Sequence, residues 1–443
     1  MRTPICDFVK KYKDSGSVRL HMPGHKGKEL VGAEGLDITE ISGADSLYDA
    51  SGIIMESERN ASDLFGCRTL YSTEGSSHVI RAMMYLVCLY AKEKGIRPKI
   101  LAARNCHKTF ISSAALLDFD VEWINADNGS YLSAGVDANA LDVCLASTDK
   151  PTAVYLTSPD YLGQVADIEN IAKVCHKHGA LLCVDNAHGA YLRFLTPSRH
   201  PMDLGADICC DSAHKTLPAL TGGAYMHISD NAPTVFADNA KDALSLFGST
   251  SPSYLILQSL DRVNAYLDNE YSERLCALTG KISSLKEHLC AAGYTFYGNE
   301  PTKLTIEAKK YGYSGIELAK ILEEKEMICE FCDPDYLVLM LAPEISDDEI
   351  ERLEKALLSI PKLPEIEALP PKHAHFERKM SIREATMSPC ETLAVERCEG
   401  RVLARLGVSC PPAVPIAVSG EVISQEMIEC FKYYGIDKIS VVK

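Results

Sequence analysis

Short, nearly continuous apolar runs recur along the middle of the chain, at 68–72, 99–103, 120–124, 153–157, 181–184, 207–210 and 224–228. Helical patterns fall between them, such as Val79-Ile80-Arg81-Ala82-Met83-Met84-Tyr85-Leu86 after the first run. Strands apolar on both faces and separated by helices predict an α/β fold, with a mainly parallel seven-stranded sheet lying between helices. Residues 1–64 show little periodicity until a helix that starts near Ser57, and read as an N-terminal arm. A long helical pattern around 261–285 leads into a smaller α+β domain. That domain has strands at 304–308 and 336–341 and helices at 315–324 and 347–359. Pro361, Pro364, Pro370 and Pro371 mark a linker to a small C-terminal unit. The division expected is therefore 1–64, 65–270, 271–366 and 367–443.

Composition narrows the classes of function. With 45 basic and 61 acidic residues the net charge is −16. That excess argues against nucleic acid, whose phosphates reward a basic face, and favours the approach of cationic substrates. The N-terminus has no hydrophobic signal core and no apolar run reaches the ~18–20 residues that cross a bilayer. Several of the 17 cysteines sit inside apolar strands (Cys183, Cys209, Cys210), the usage of buried thiols in a reducing cytoplasm. No tight metal pattern is present: His176-x-His178 and His21-x-x-x-His25 stand alone, and no metal is expected.

The chemistry concentrates at two strand ends. The run Leu181-Leu182-Cys183-Val184 ends on Asp185, and Asp207-Ile208-Cys209-Cys210 is followed by Ser212-Ala213-His214-Lys215. A carboxylate at one strand end and a lysine after another is the layout of a pyridoxal-phosphate site. The amine anchors the cofactor covalently, and the carboxylate holds the ring-nitrogen proton that makes the ring an electron sink. His188, three residues beyond Asp185, points toward the same cleft or else caps the following turn. Gly75-Ser76-Ser77, between a strand and a helix, offers backbone N–H groups and hydroxyls to a phosphate, or serves only as a cap.

An ordered set of motifs then carries a family resemblance. These are His21-Met22-Pro23-Gly24-His25-Lys26-Gly27, Asp45-Ser46-Leu47-Tyr48, Asn105-Cys106-His107-Lys108, Ser212-Ala213-His214-Lys215-Thr216-Leu217-Pro218-Ala219-Leu220, Thr250-Ser251-Pro252-Ser253-Tyr254 and Pro411-Pro412 through Gly420-Glu421. In this the chain resembles the bacterial ornithine/lysine/arginine decarboxylases in their compact form, enzymes of PLP fold type I. The resemblance implies decarboxylation of a dibasic amino acid to a di- or polyamine, a homodimer, and a cytoplasmic protein.

It also implies roles. Lys215, Asp185 and His188 would be catalytic, and Ser212 and His214 would join Gly75, Ser76 and Ser77 around the phosphate. His107 would stack on the cofactor ring, and Ser251 would reach a neighbouring subunit's phosphate. Glu421 would either receive the substrate's distal cation or lie on the surface. Three departures from the family pattern stand out: Glu74 where an Asn is usual, Ala413 for a Gly and Ser419 for a Pro. A carboxylate at 74 suits a phosphate loop only if it points away. Composition and spacing alone leave open a different reaction on the same fold, an aminotransferase or C–S lyase, and a degenerate non-catalytic member.

Overall fold

The computed structural model describes residues 1–443 apart from 125–130, 134, 148–150, 369, 372–376 and 406–411. All seven apolar runs are strands: β1 (Arg68–Ser72), β2 (Lys99–Ala103), β3 (Asp120–Ile124), β4 (Ala153–Thr157), β5 (Leu181–Asp185), β6 (Ile208–Asp211) and β7 (Ala224–Ile228). They form one sheet in the order β1-β7-β6-β5-β4-β2-β3. The pairs β2–β3 and β5–β6 are parallel, whereas β7 runs antiparallel to both β6 and β1. Every residue of β5, β6 and β7 is buried, as strands covered on both faces must be. No disulfide forms among the described cysteines, and Cys183, Cys209 and Cys210 are core residues with no exposure.

By packing, the chain divides into two discontinuous units. The first comprises 1–98, 145–156 and 168–273, and the second 99–144, 157–167 and 274–443. In the first, helix Ile53–Phe65 begins four residues ahead of the expected start. Its amide ends are met from a distance, because the Asp45 carboxylate accepts the N–H groups of Ser51, Gly52 and Ile54 at 2.8–2.9 Å. That cap has no local spacing to betray it. The pattern at 261–285 proves to be two helices, Tyr254–Leu267 and Tyr271–Ala291, separated at the polar run Asp268-Asn269-Glu270.

The second unit holds two smaller sheets. Strands β8 (Phe296–Tyr297), β9 (Lys303–Glu307), β10 (Phe331–Cys332) and β11 (Tyr336–Met340) pair antiparallel in the order β10-β11-β9-β8. Helices Gly315–Glu323 and Asp347–Leu358 each start with a Ser–Glu capping box, Ser314 with Glu317 and Ser346 with Glu349. Their apolar faces join Leu304, Ile306 and Leu337 in one core. The C-terminal sheet, β12 (Cys390–Ala394), β13 (Leu403–Arg405) and β14 (Lys438–Val442), has the order β12-β14-β13 and a core around Leu403, Ile423 and Phe431. Pro411 of the C-terminal motif lies outside the described residues.

Candidate active site

Because β5 and β6 are parallel, their carboxyl ends share one edge of the sheet, where open α/β sheets bind ligands. Asp185 is in register with Cys210, so both side chains emerge on the same face. Asp185 is 2% exposed. Its Oδ2 accepts the Tyr155 hydroxyl at 3.1 Å, and its Oδ1 accepts Ala187 N–H at 3.2 Å and Cys210 S–H at 3.5 Å. Burial, and next the Asp185 charge, raise the Cys210 thiol well above its ordinary value, which keeps it a donor. Three donors therefore orient the carboxylate, and two of them, Tyr155 and Cys210, were not anticipated. Nothing in their own local sequence marks either one.

After β6 the chain makes a single helical turn, Ala213–Thr216, with Ser212 as N-cap residue. Lys215 projects from it, and its Nζ lies 3.0 Å from His188 Nε2. His188 is buried at 5% exposure and follows β5 by three residues, so an amine and an imidazole converge from two strand ends. At that distance one group can pass a proton to the other.

The loop at Gly75 meets the same strand ends. Gly75 has φ +73°, and an added Cβ would find only His214 Cε1 within 4 Å, at 3.9 Å. Gly222 has φ +99°, and a Cβ there would strike Thr73 O at 2.8 Å, so this close approach requires glycine. Gly75 N–H donates to Gly222 O at 2.8 Å. The Ser212 hydroxyl donates to Ser76 Oγ at 2.8 Å, joining the turn after β6 to the start of helix Gly75–Glu93. His214 Nδ1 lies 2.9 Å from Gly223 O, and burial lowers its imidazole pKa. Glu74, the departure from the family pattern, turns away: its Oε1 accepts Ser249 N–H at 2.6 Å. The structure thus brings Lys215, His188, Asp185, Gly75, Ser76, Ser212 and His214 to one edge of the first unit. Ser77 lies in the first turn of helix Gly75–Glu93. Ser251 is exposed, its N–H donating to Ser249 Oγ at 3.1 Å.

His107 and Glu421 belong to the second unit. His107 is the N-cap of helix Lys108–Leu117, with Nδ1 accepting Thr109 N–H. Glu421 corrects the surface alternative, since it is only 3% exposed. Its carboxylate makes a two-pronged pair with the Arg104 guanidinium, both contacts at 2.7 Å, and accepts Val418 N–H. Arg104 also lies over the Trp123 ring, 4.8 Å from its centroid. A substrate cation would have to displace a bidentate guanidinium to reach this carboxylate. Arg104→Ala should therefore act on stability, because it strands a buried charge. We expect a loss of about 3–5 kcal/mol in denaturant unfolding, with Arg104→Lys recovering part of it. The Ala413 departure sits in the same unit with φ +58°, its carbonyl accepting Lys108 N–H. Ser419 is buried there at 2% exposure.

The residues at the edge of the first unit suit a phosphorylated, aldehyde-bearing cofactor with a basic ring nitrogen. They provide an amine, a buried carboxylate and a cradle of hydroxyls and backbone N–H groups at a helix start. Among the described residues, no helix is long and apolar enough to cross a membrane.

Comparison with known proteins agrees with this geometry. The chain is 28% identical to the uncharacterized protein YaaO of Bacillus subtilis, over 97% of this chain and 93% of that one. It is 27% identical to an arginine decarboxylase of the same organism, over 96% and 92%. Lysine decarboxylase A from Pseudomonas aeruginosa superposes with a TM-score of 0.82 at 16% identity, covering 99% of this chain and 80% of that structure, which shows the shared fold. The family model for the Orn/Lys/Arg decarboxylase major domain matches residues 3–291. The chain belongs to the Orn/Lys/Arg decarboxylase family.

Proposed function

We propose that this protein is a pyridoxal-phosphate-dependent decarboxylase of a dibasic amino acid, taking arginine, lysine or ornithine to the corresponding amine and CO₂. The observation that carries the reading is the approach of Lys215 Nζ to His188 Nε2, 3.0 Å apart, beside the buried Asp185. When bound, pyridoxal phosphate supplies an electron sink for the pair left behind as the carboxylate departs. Lys215 is the anchoring amine. Asp185, fixed by Tyr155, Ala187 and Cys210, holds a proton at the ring nitrogen. Ser76, Ser212 and the first turn of helix Gly75–Glu93 receive the phosphate. Lys215 and His188 can each hold the proton that is delivered to the substrate carbon, and their mutual contact lets either be recharged by the other.

The active assembly in this reading is a cytoplasmic homodimer in which the segment around Ser251 faces a neighbour's site. The exposure of residues 249–251 in the single chain supports that role. The net charge of −16 supports a cationic substrate over an anionic one.

The test is a panel assay with saturating cofactor, comparing arginine, lysine, ornithine and the neutral analogue norleucine. One dibasic substrate should release CO₂ at least about tenfold faster than norleucine, with equimolar amine formed. Keto acid in place of CO₂ would make the enzyme an aminotransferase. Turnover of none of the four would refute the substrate class.

A further inference from the structure

We propose that His200, Cys209, Asp211 and His227 form a site for one divalent transition-metal ion, zinc by its ligand chemistry, inside the first unit. No short His/Cys spacing announces it, because the four residues are spread over positions 200–227 and converge only through the sheet. Cys209 and His227 are directly opposed on β6 and β7, and Asp211, two residues beyond Cys209, shares its face. His200 arrives from the loop ahead of β6. One candidate ligand atom from each residue lies within 4.8 Å of all the others. The Nε2 atoms of His200 and His227 are both 3.0 Å from the same oxygen, Asp211 Oδ2. This face is the reverse of the one that carries Asp185 and Cys210, so the cluster is separate from the cofactor site.

A hydrogen-bonded hub would account for the two His–Asp contacts, but three features go beyond it. The first is charge. Asp211 is fully buried, and no Lys or Arg among the described residues pairs with it; its partners are two imidazoles and the Asn186 amide. A divalent ion on one thiolate, one carboxylate and two neutral imidazoles makes a neutral unit, which removes the cost of an uncompensated charge in the core.

The second is proton placement. The Thr69 hydroxyl lies 2.9 Å from His227 Nδ1 and 3.3 Å from Cys67 O, so it can accept from Nδ1–H while donating to the carbonyl. In the tautomer with the proton on Nδ1, the Nε2 lone pair is available to a cation shared with the Asp211 oxygen, 3.0 Å away. It is also the outer-shell arrangement that orients metal-binding histidines. On loading, the Cys209 thiol proton leaves to solvent and the His200 proton moves to Nδ1. The shift gives up only a long 3.4 Å contact from Met202 N–H.

The third is the donor set. One sulfur, two imidazole nitrogens and one carboxylate oxygen are the ligands of a closed tetrahedral zinc site. Phe65 seals it, with its ring centroid 4.5 Å from that of His227 and 5.6 Å from that of His200.

Elemental analysis of full-length protein from zinc-supplemented cells, purified without chelators, should find about one zinc per chain. Protein made in cobalt-supplemented medium should show a near-ultraviolet thiolate-to-cobalt charge-transfer band. Cys209→Ser should abolish that band, and Asp211→Asn should lower metal content about tenfold. If Asp211→Asn does not fold, His200→Gln on the loop serves in its place. Folded wild-type protein with less than about 0.1 metal per chain, or content unchanged in the variants, would overturn the site and leave a hydrogen-bonded hub. None of these readouts depends on pyridoxal phosphate or turnover, so failure here leaves the proposed function standing.

Discussion

Lys215→Ala is expected to lower decarboxylation by at least about a thousandfold, with the folded state intact. Lys215 is exposed and sits on a single helical turn, and its amine meets His188 at 3.0 Å. Removing the side chain opens no core cavity, so melting temperature should barely move. In the proposed mechanism, what disappears is the anchoring amine and one of two groups able to hold the transferred proton. Added methylamine should restore a small part of the rate, because a free amine can replace the anchor but not its placement. Turnover within tenfold of wild type, measured as CO₂ release, would remove Lys215 from the mechanism.

Asp185→Asn should keep the cofactor and cut turnover by about a hundredfold or more. The amide preserves shape, and its carbonyl oxygen can still accept Ala187 N–H, while Tyr155 can rotate its hydroxyl to accept from the new NH₂. The negative charge proposed to hold a ring-nitrogen proton is lost. The loss should therefore fall on kcat, with KM nearly unchanged, and cofactor content by absorbance should stay near one per chain. Equal losses in kcat and cofactor content would assign Asp185 to binding alone.

The central strands were legible because strands buried on both faces are written as nearly continuous apolar runs. All seven stand where the hydrophobic pattern puts them, and Asp185 and Lys215 were visible as the polar groups that break it. Boundaries set from a distance were not legible. Helix Ile53–Phe65 starts early because Asp45 caps it from nine residues upstream, and the break at 268–270 fell inside a pattern that reads as continuous helix. Pairings made by the fold left no local trace either. Tyr155 reaches Asp185 across 30 positions, and Arg104 reaches Glu421 across 317. The motif around Glu421 marked it as important, but only the folded chain shows the guanidinium that occupies it. The unusual Glu74 has its explanation in Ser249, 175 positions away.

Loading the full-length protein with pyridoxal phosphate, reducing it with borohydride and mapping the modified peptides tests the role of Lys215 most directly. One phosphopyridoxyl label per chain is expected, on the peptide containing Lys215, and no label on Lys215→Ala protein treated in the same way. A label on a different lysine, or none on wild-type protein at saturating cofactor, would contradict that role.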